Sequence, residues 1–334
     1  YKNIYSSTNN TRTEMINRGY IRLNAKESAG IQLRPENPNA SGPSDVLGLN
    51  MMTAFNDTDG KIDINNSGSF GMLTVKNKAA GAIPKSYSYG ITTLAGGQFA
   101  SRAQKENMSY MKNVGTINVN GDSSIGIGHL HNIQAVYAGG TIKVAGTGSV
   151  GVYTEKATRP VLPGNKDDHG LTNSTGDIVG TETVEVSGDI TVSGSNSSGV
   201  FAKDSGSITL KDNKVNTLAD SDNKTTAKIT VSGTKSYGAV LEGGVKLDLE
   251  EKTSITVNGQ ESIGYVLKKG VGSNKGNITV QGHSANSNVG TFHGSLGFYG
   301  EEGTFTNEKE GEISSSGNVA HAVALIGNTT GITF

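Results

Sequence analysis

Asp167 and Asp168, followed by His169 and Gly170, form a tight cluster of titratable side chains in this sequence. Two carboxylates held at a fixed separation can divide the roles of general acid and water-activating base in sugar-bond cleavage. This pair follows Pro160 and Pro163 in a segment that reads as a loop, and no second Asp pair occupies a matching position nearby. A charged surface turn is the expectation. His129-Leu130-His131 places two imidazoles on one face of an extended segment, as a metal site would need. No third ligand is spaced to join them, and Ile127 and Ile133 share their parity, so solvent-facing or partly buried histidines are expected. Serine could supply a nucleophile, but no Gly-x-Ser-x-Gly elbow occurs. The serines that stand out recur along the whole chain, whereas a nucleophile is needed once.

Those serines belong to the elements that would have to position any site. Seven times an Ile (position 0) is followed by a Ser at +7 and a Gly at +9. The pairs are Ile21/Gly30, Ile62/Gly71, Ile117/Gly126, Ile142/Gly151, Ile190/Gly199, Ile229/Gly238 and Ile255/Gly264. Position +2 is branched each time: Leu23, Ile64, Val119, Val144, Val192, Val231 and Val257. Alternation of Ile and Val with polar residues is the period-2 signal of a half-buried strand. Gly at +4 in five copies (Gly121, Gly146, Gly194, Gly233, Gly259) marks a tight turn with an expected positive φ. Apolar residues at +8 and +10 begin a second strand, and strand parity then sends the Ser at +7 and the Gly at +9 toward solvent. Two readings of that Ser/Gly stripe compete. In one, Gly lets the strand bend or a loop approach while the hydroxyl satisfies turn amides. In the other, a flat strip of small residues accepts an extended partner.

Successive copies lie 41, 55, 25, 48, 39, 26 and 23 residues apart, counted between the Ile positions. A fixed internal spacing with variable gaps is the mark of a repeat architecture, in which stacked units bury a continuous column that no unit buries alone. The shortest gaps match one coil of a parallel β-helix. The sequence therefore predicts an all-β chain forming a right-handed parallel β-helix with inserted loops, set against a sandwich or propeller, whose repeats are steadier in length. Worn copies begin at Ile278 and Ile313. The loops fall at about 31–61, 76–114, 153–188 and 203–228, and recognition is usually carried by loops on a regular scaffold.

The 334 residues carry 29 basic and 30 acidic side chains, for a formal charge of −1. That balance offers no electrostatic grip on a nucleic-acid backbone or an anionic membrane. There are 47 Gly without a Gly-X-Y period, which excludes collagen, and no Cys for disulfides. No apolar run is long enough for a membrane-spanning helix. The calcium-binding nonapeptide of β-rolls is absent, and no cofactor or metal is expected.

The stretches Gly-Thr-Ile-Lys-Val-Ala-Gly-Thr-Gly-Ser-Val-Gly-Val-Tyr (140–153) and Ser-Ile-Thr-Val-Asn-Gly-Gln-Glu-Ser-Ile-Gly-Tyr-Val (254–266) carry a resemblance. They resemble the passenger domains of type V secretion (type Va) autotransporters, in particular the large outer-membrane adhesins of oral anaerobic Gram-negative bacteria. The likeness covers most of residues 20–330. It implies that residues 1–334 are a fragment of a longer passenger, exported through a translocator barrel absent from this chain and exposed on the bacterial surface or released from it. It also implies a non-enzymatic adhesin that binds a host protein or glycan receptor, or another bacterium. The expected contacts are Tyr87, Tyr89, Phe99 and Tyr110, aromatics of the 76–114 insertion that give large contact area at low entropy cost. The rival readings are a polysaccharide-degrading β-helix using Asp167 and Asp168, and a toxin or pore-forming passenger.

Overall fold

A segment that alternates buried aliphatic and polar residues must still pair every backbone N–H and C=O along its edges. The computed structural model describes residues 12–32, 51–74, 110–129, 135–155, 183–203, 207–212, 226–282, 294–325 and 332–333. In it the segments pair with one another in parallel, building sheets of nine and seventeen strands, and no helix occurs among the described residues.

The nine-stranded sheet contains β2 (Tyr20–Leu23), β5 (Lys61–Ile64), β8 (Thr116–Val119), β11 (Thr141–Val144), β14 (Asp189–Val192), β17 (Lys228–Val231), β19 (Ser254–Val257), β21 (Asn277–Gln281) and β24 (Glu312–Ser316). Its register sets Ile21, Ile62, Ile117, Ile142, Ile190, Ile229, Ile255, Ile278 and Ile313 in one column. The seven regular copies and the two worn ones are thus nine successive layers.

The larger sheet is two ladders joined. One runs through β3 (Ala29–Gln32), β6 (Phe70–Thr74), β9 (Ile125–His129), β12 (Val150–Glu155), β15 (Ser198–Lys203), the first halves of β18 (Tyr237–Leu249) and β20 (Ile263–Asn274), β22 (Ser295–Gly300) and β25 (Ala320–Leu325). The other runs through β1 (Arg12–Asn17), β4 (Met51–Asn56), β7 (Tyr110–Asn113), β10 (Ala135–Ala138), β13 (Thr183–Val186), β16 (Ile208–Leu210), the second halves of β18 and β20, β23 (Thr304–Asn307) and β26 (Ile332–Thr333). The chain visits the nine-stranded sheet, the first ladder and the second ladder in that order, then returns. This second ladder was not expected. Its strands lie within the stretches read as insertions: β4 within 31–61, β7 within 76–114, β13 within 153–188 and β16 within 203–228.

The Ile column and the +2 aliphatics are buried from Ile62 to Val280, and they meet Met111, Val136, Val184, Ile208 and Leu247 from the second ladder. Each such side chain contributes about 1.5–3 kcal/mol on leaving water. Where β18 and β20 run from one ladder into the other, the core turns aromatic. Tyr265, Phe298 and Phe305 pack with ring centroids 4.1–5.7 Å apart. The Tyr265 hydroxyl donates to Leu247 O at 3.0 Å, and burial drives its pKa well above the usual phenol value.

Strand parity does not survive the turn. Residues 24–28, 65–69, 120–124, 145–149, 193–197, 232–236 and 258–262 each join the nine-stranded sheet to the first ladder in five residues. The left-handed residue is at +6, not +4: Glu27, Ser123, Asn196, Lys235 and Glu261 have φ of 50–53° or 54°, and Gly68 and Gly148 have 68° and 64°. The glycines at +4 are needed for room instead. A Cβ on Gly146 would lie 2.0 Å from Gly121 O, and one on Gly194 2.2 Å from Gly146 O, both in the preceding layer. One left-handed residue resets which way the following side chains point. Six of the seven serines at +7, from Ser69 to Ser262, are accordingly buried and Ser28 is half-buried, against the expectation that they face water.

The glycines at +9 from Gly71 to Gly264 are buried as well. A Cβ on Gly151 would meet Gly199 O at 2.6 Å and Ile190 Cγ2 at 3.1 Å, both in the next layer. Pairing of β12 with β15 keeps one register through this point, from Val150↔Ser198 to Val152↔Val200, so Gly151 and Gly199 lie one above the other. Position +8 contributes to a second apolar cluster. There Phe70 and Ile125, with Val150 and Tyr153 against them, form a small apolar cluster separate from the core.

Candidate functional site

The buried serines form a hydrogen-bonded ladder through the five-residue turns. Ser69 N–H donates to Ser124 Oγ, Ser124 N–H to Ser149 Oγ and Ser236 N–H to Ser262 Oγ, each at 3.0 Å, with Ser149 to Ser197 at 3.1 Å and Ser197 to Ser236 at 3.2 Å. Each hydroxyl in turn donates to the +4 carbonyl of the preceding layer: Ser149 to Gly121 O at 2.8 Å, Ser197 to Gly146 O at 2.8 Å, and Ser236 to Gly194 O at 2.7 Å. Backbone groups occupy both the accepting and the donating sides of these oxygens. The stripe is scaffold, as the first of its two readings held: the hydroxyls satisfy turn amides and the glycines admit a neighbouring chain.

A second polar ladder, of asparagines, went unread. Asn17 Nδ2 donates to Asn56 Oδ1 and Asn56 Nδ2 to Asn113 Oδ1, both at 2.7 Å, and Asn274 Nδ2 donates to Asn307 Oδ1 at 2.8 Å. Its signal was present in the sequence, since each Asn lies four or six residues before the Ile of its layer.

Of the expected contact residues, Tyr110 opens β7, where its backbone pairs with Thr53 and Ala135. Tyr87, Tyr89 and Phe99 lie outside the described residues, as do His131, Asp167, Asp168 and His169. His129 is at the end of β9 and is only 2% exposed, so it is neither solvent-facing nor partly buried. Its Nδ1 pairs with Thr154 Oγ1 of the next layer at 2.9 Å. Among the described residues no three His, Cys, Asp or Glu side chains converge as metal ligands.

Two of the charged groupings shift the pKa of a carboxyl group. On the nine-stranded sheet Asp63 accepts from the Tyr20 hydroxyl and from Asn118 Nδ2 at 2.7 Å, with Lys61 Nζ at 3.4 Å. Burial pushes its carboxyl up, but these donors together hold the pKa below the ordinary 3.8. On the second ladder Lys211 Nζ lies 2.5 Å from Glu250 Oε1 and 4.0 Å from Glu185 Oε1. Burial raises Glu185 above its ordinary 4.5, the Lys211 charge opposing and the Glu250 charge assisting. Burial lowers the Lys211 amine, yet its bond to Glu250 leaves it net raised.

The feature that singles out one edge is where the chain varies in length. Segments 33–50, 75–109, 130–134, 156–182, 204–207 and 326–331 each join a strand of the first ladder to the next strand of the second. Six connections of different length therefore depart from one junction, layer above layer, after Gln32, Thr74, His129, Glu155, Lys203 and Leu325. Only 213–225 and 283–293 leave elsewhere between described strands. Where the junction is short, it is a register shift inside β18 between Glu242 and Val245, or the three residues 301–303. No protein-family model matches this chain, and no match is found among the curated proteins or the solved structures.

Proposed function

We propose that the nine layers wind as a right-handed parallel β-helix and that the chain is an adhesive passenger segment of a bacterial surface autotransporter. It acts without catalysis or cofactor. A rigid stack holds variable connections away from the cell, where they engage a host protein or glycan receptor or the surface of another bacterium. Membrane attachment in this reading runs through a translocator barrel outside this chain, and no nucleic acid is involved. The observation that carries the reading is the gathering of most of the length variation at one junction, from which six connections of different length depart. Connections that leave a scaffold on the same edge can meet one partner together. The contacts assigned are Tyr87, Tyr89, Phe99 and Tyr110.

The test is capture from a host-cell surface extract by the whole chain and by a variant in which 75–109 is replaced with a four-residue linker, the span used at 204–207. Sparing β7 keeps the stack intact. Loss of the captured partner supports the assignment. Equal capture by both removes Tyr87, Tyr89 and Phe99 from the binding site, and Tyr110→Ala examines the fourth residue separately. A whole chain that captures nothing from host or bacterial surfaces sinks the adhesin reading.

A further inference from the structure

Four interior layers of the first ladder carry an ordered outer face. In β15 the core takes Val200 and Ala202, so Phe201 and Lys203 point away from it. The same alternation turns out Val240 and Glu242 in β18, Val266 and Lys268 in β20, and Tyr299 and Glu301 at the end of β22. Register stacks Phe201, Val240, Val266 and Tyr299 in one outer column. Beside it stand Lys203, Glu242, the pair Lys268 and Lys269, and the pair Glu301 and Glu302.

Two patterns run down these columns and share a midpoint, between β18 and β20. The apolar column is aromatic, valine, valine, aromatic, and reads the same in either direction. The charged column is plus, minus, plus, minus, and reversal exchanges every sign. Alternation alone suits a single chain, because like charges on neighbouring strands repel. Lys268 Nζ indeed lies 2.8 Å from Glu242 Oε2, and Lys269 Nζ 3.0 Å from Glu302 Oε1. These four side chains nevertheless remain 38–60% exposed. The same layers have short outward connections: 204–207, a register shift within β18, an unbroken β20 and 301–303.

We infer that this face pairs with the same face of a second copy of this chain, the two stacks running antiparallel about a two-fold axis between β18 and β20. Reversing one copy sets Phe201 against Tyr299 and Val240 against Val266. It also sets Lys203 against Glu301 and Glu242 against Lys268. Each contact occurs twice, as an isologous interface requires. Parallel copies in register would instead oppose like charges. At about 4.8 Å per layer the four layers reach about 14 Å along the axis. That is short for the roughly 800 Å² per partner of a standard interface, so the pairing is weak and depends on concentration.

Sedimentation velocity over a concentration series at low ionic strength tests this on the whole chain. Wild type is compared with Lys203→Glu, with Glu301→Lys and with an equimolar mixture of the two variants. Both changes leave the Lys268–Glu242 and Lys269–Glu302 pairs in place. Wild type is expected to pass from one-chain to two-chain mass as concentration rises, and to return when salt is added. Each variant alone is expected to stay at one-chain mass, because it opposes like charges twice. Their mixture is expected to regain two-chain mass, because each supplies the sign that the other lost. Wild type at one-chain mass throughout overturns the inference. So does either variant that pairs alone as wild type does, or a mixture that stays at one-chain mass. If either change disturbs the far-UV circular dichroism, Lys203→Gln and Glu301→Gln replace them, and undiminished pairing by both overturns the inference.

Discussion

The two bends that flank the first ladder obey opposite rules. The bend entering it is five residues long with one left-handed residue in seven layers, and in six of them one buried serine and one hydroxyl–carbonyl contact to the preceding layer recur at the same places. The bend leaving it is a register shift in one layer, three residues (301–303) in another and 35 residues between Thr74 and Tyr110 (75–109). The difference follows from what each bend must satisfy. The first brings backbone amides inside the stack, where an unpaired N–H costs about 1–3 kcal/mol, so every atom is specified. The second turns outward, and loop closure there grows by only about 0.6 kcal/mol per doubling of length. A constant bend and a free bend on the same strand divide the labour between holding the stack and varying its surface.

The sharpest way to break the comparison is to put a side chain where the constant bend forbids one. Gly151→Val should cost more than about 3 kcal/mol, because a Cβ there meets Gly199 O at 2.6 Å and the backbone must shift. Urea unfolding followed by far-UV circular dichroism reads the loss, and a change within 0.5 kcal/mol would contradict the tight packing. Next in size is Ser149→Ala. It leaves Ser124 N–H without its acceptor and Gly121 O without its donor, and should cost about 1–3 kcal/mol. Amide exchange is expected to quicken at Ser124 before it quickens in other layers.

Glu185 gives a smaller effect of definite sign. Its pKa is raised on folding, so the stability linked to it is complete below the ordinary 4.5 and is lost as pH rises through the higher folded value. Glu185→Gln should therefore stabilise the chain at neutral pH and lose that advantage in acid, as paired melts at pH 7 and pH 4 would reveal. A gain that persists unchanged at pH 4 would assign it to packing. The smallest effect belongs to the free bend: replacing 156–182 with a three-residue linker should alter stability by no more than about 1 kcal/mol. A large loss would make that segment part of the stack.

The stack was legible in the sequence because its constraint is periodic. Nine Ile residues share one column, and each was visible as a repeat or a worn repeat before any coordinate was known. The second ladder was hidden for the opposite reason. Tyr110–Asn113, Ala135–Ala138 and Thr183–Val186 are short, and they stand at no fixed distance from the Ile column before them because the free bend intervenes. Counted backwards from the next Ile they do align, as the Asn17 and Asn113 positions show. The serine orientation was misread because parity was carried through a left-handed residue that no composition rule marks: Glu27, Ser123, Asn196, Lys235 and Glu261 share only their place. Of the proposed contacts, the structure describes only the backbone of Tyr110, and their choice in the sequence rested on residue type, which carries no period.

That left-handed place has a practical side. It holds acidic, basic and hydroxyl side chains alike, and Glu27, Ser123, Asn196 and Lys235 are all exposed there. Successive layers of a sheet lie about 4.8 Å apart. The row is thus a molecular ruler, on which fluorophores or spin labels can be placed at known intervals along the axis while the serine ladder beside it holds the scale fixed.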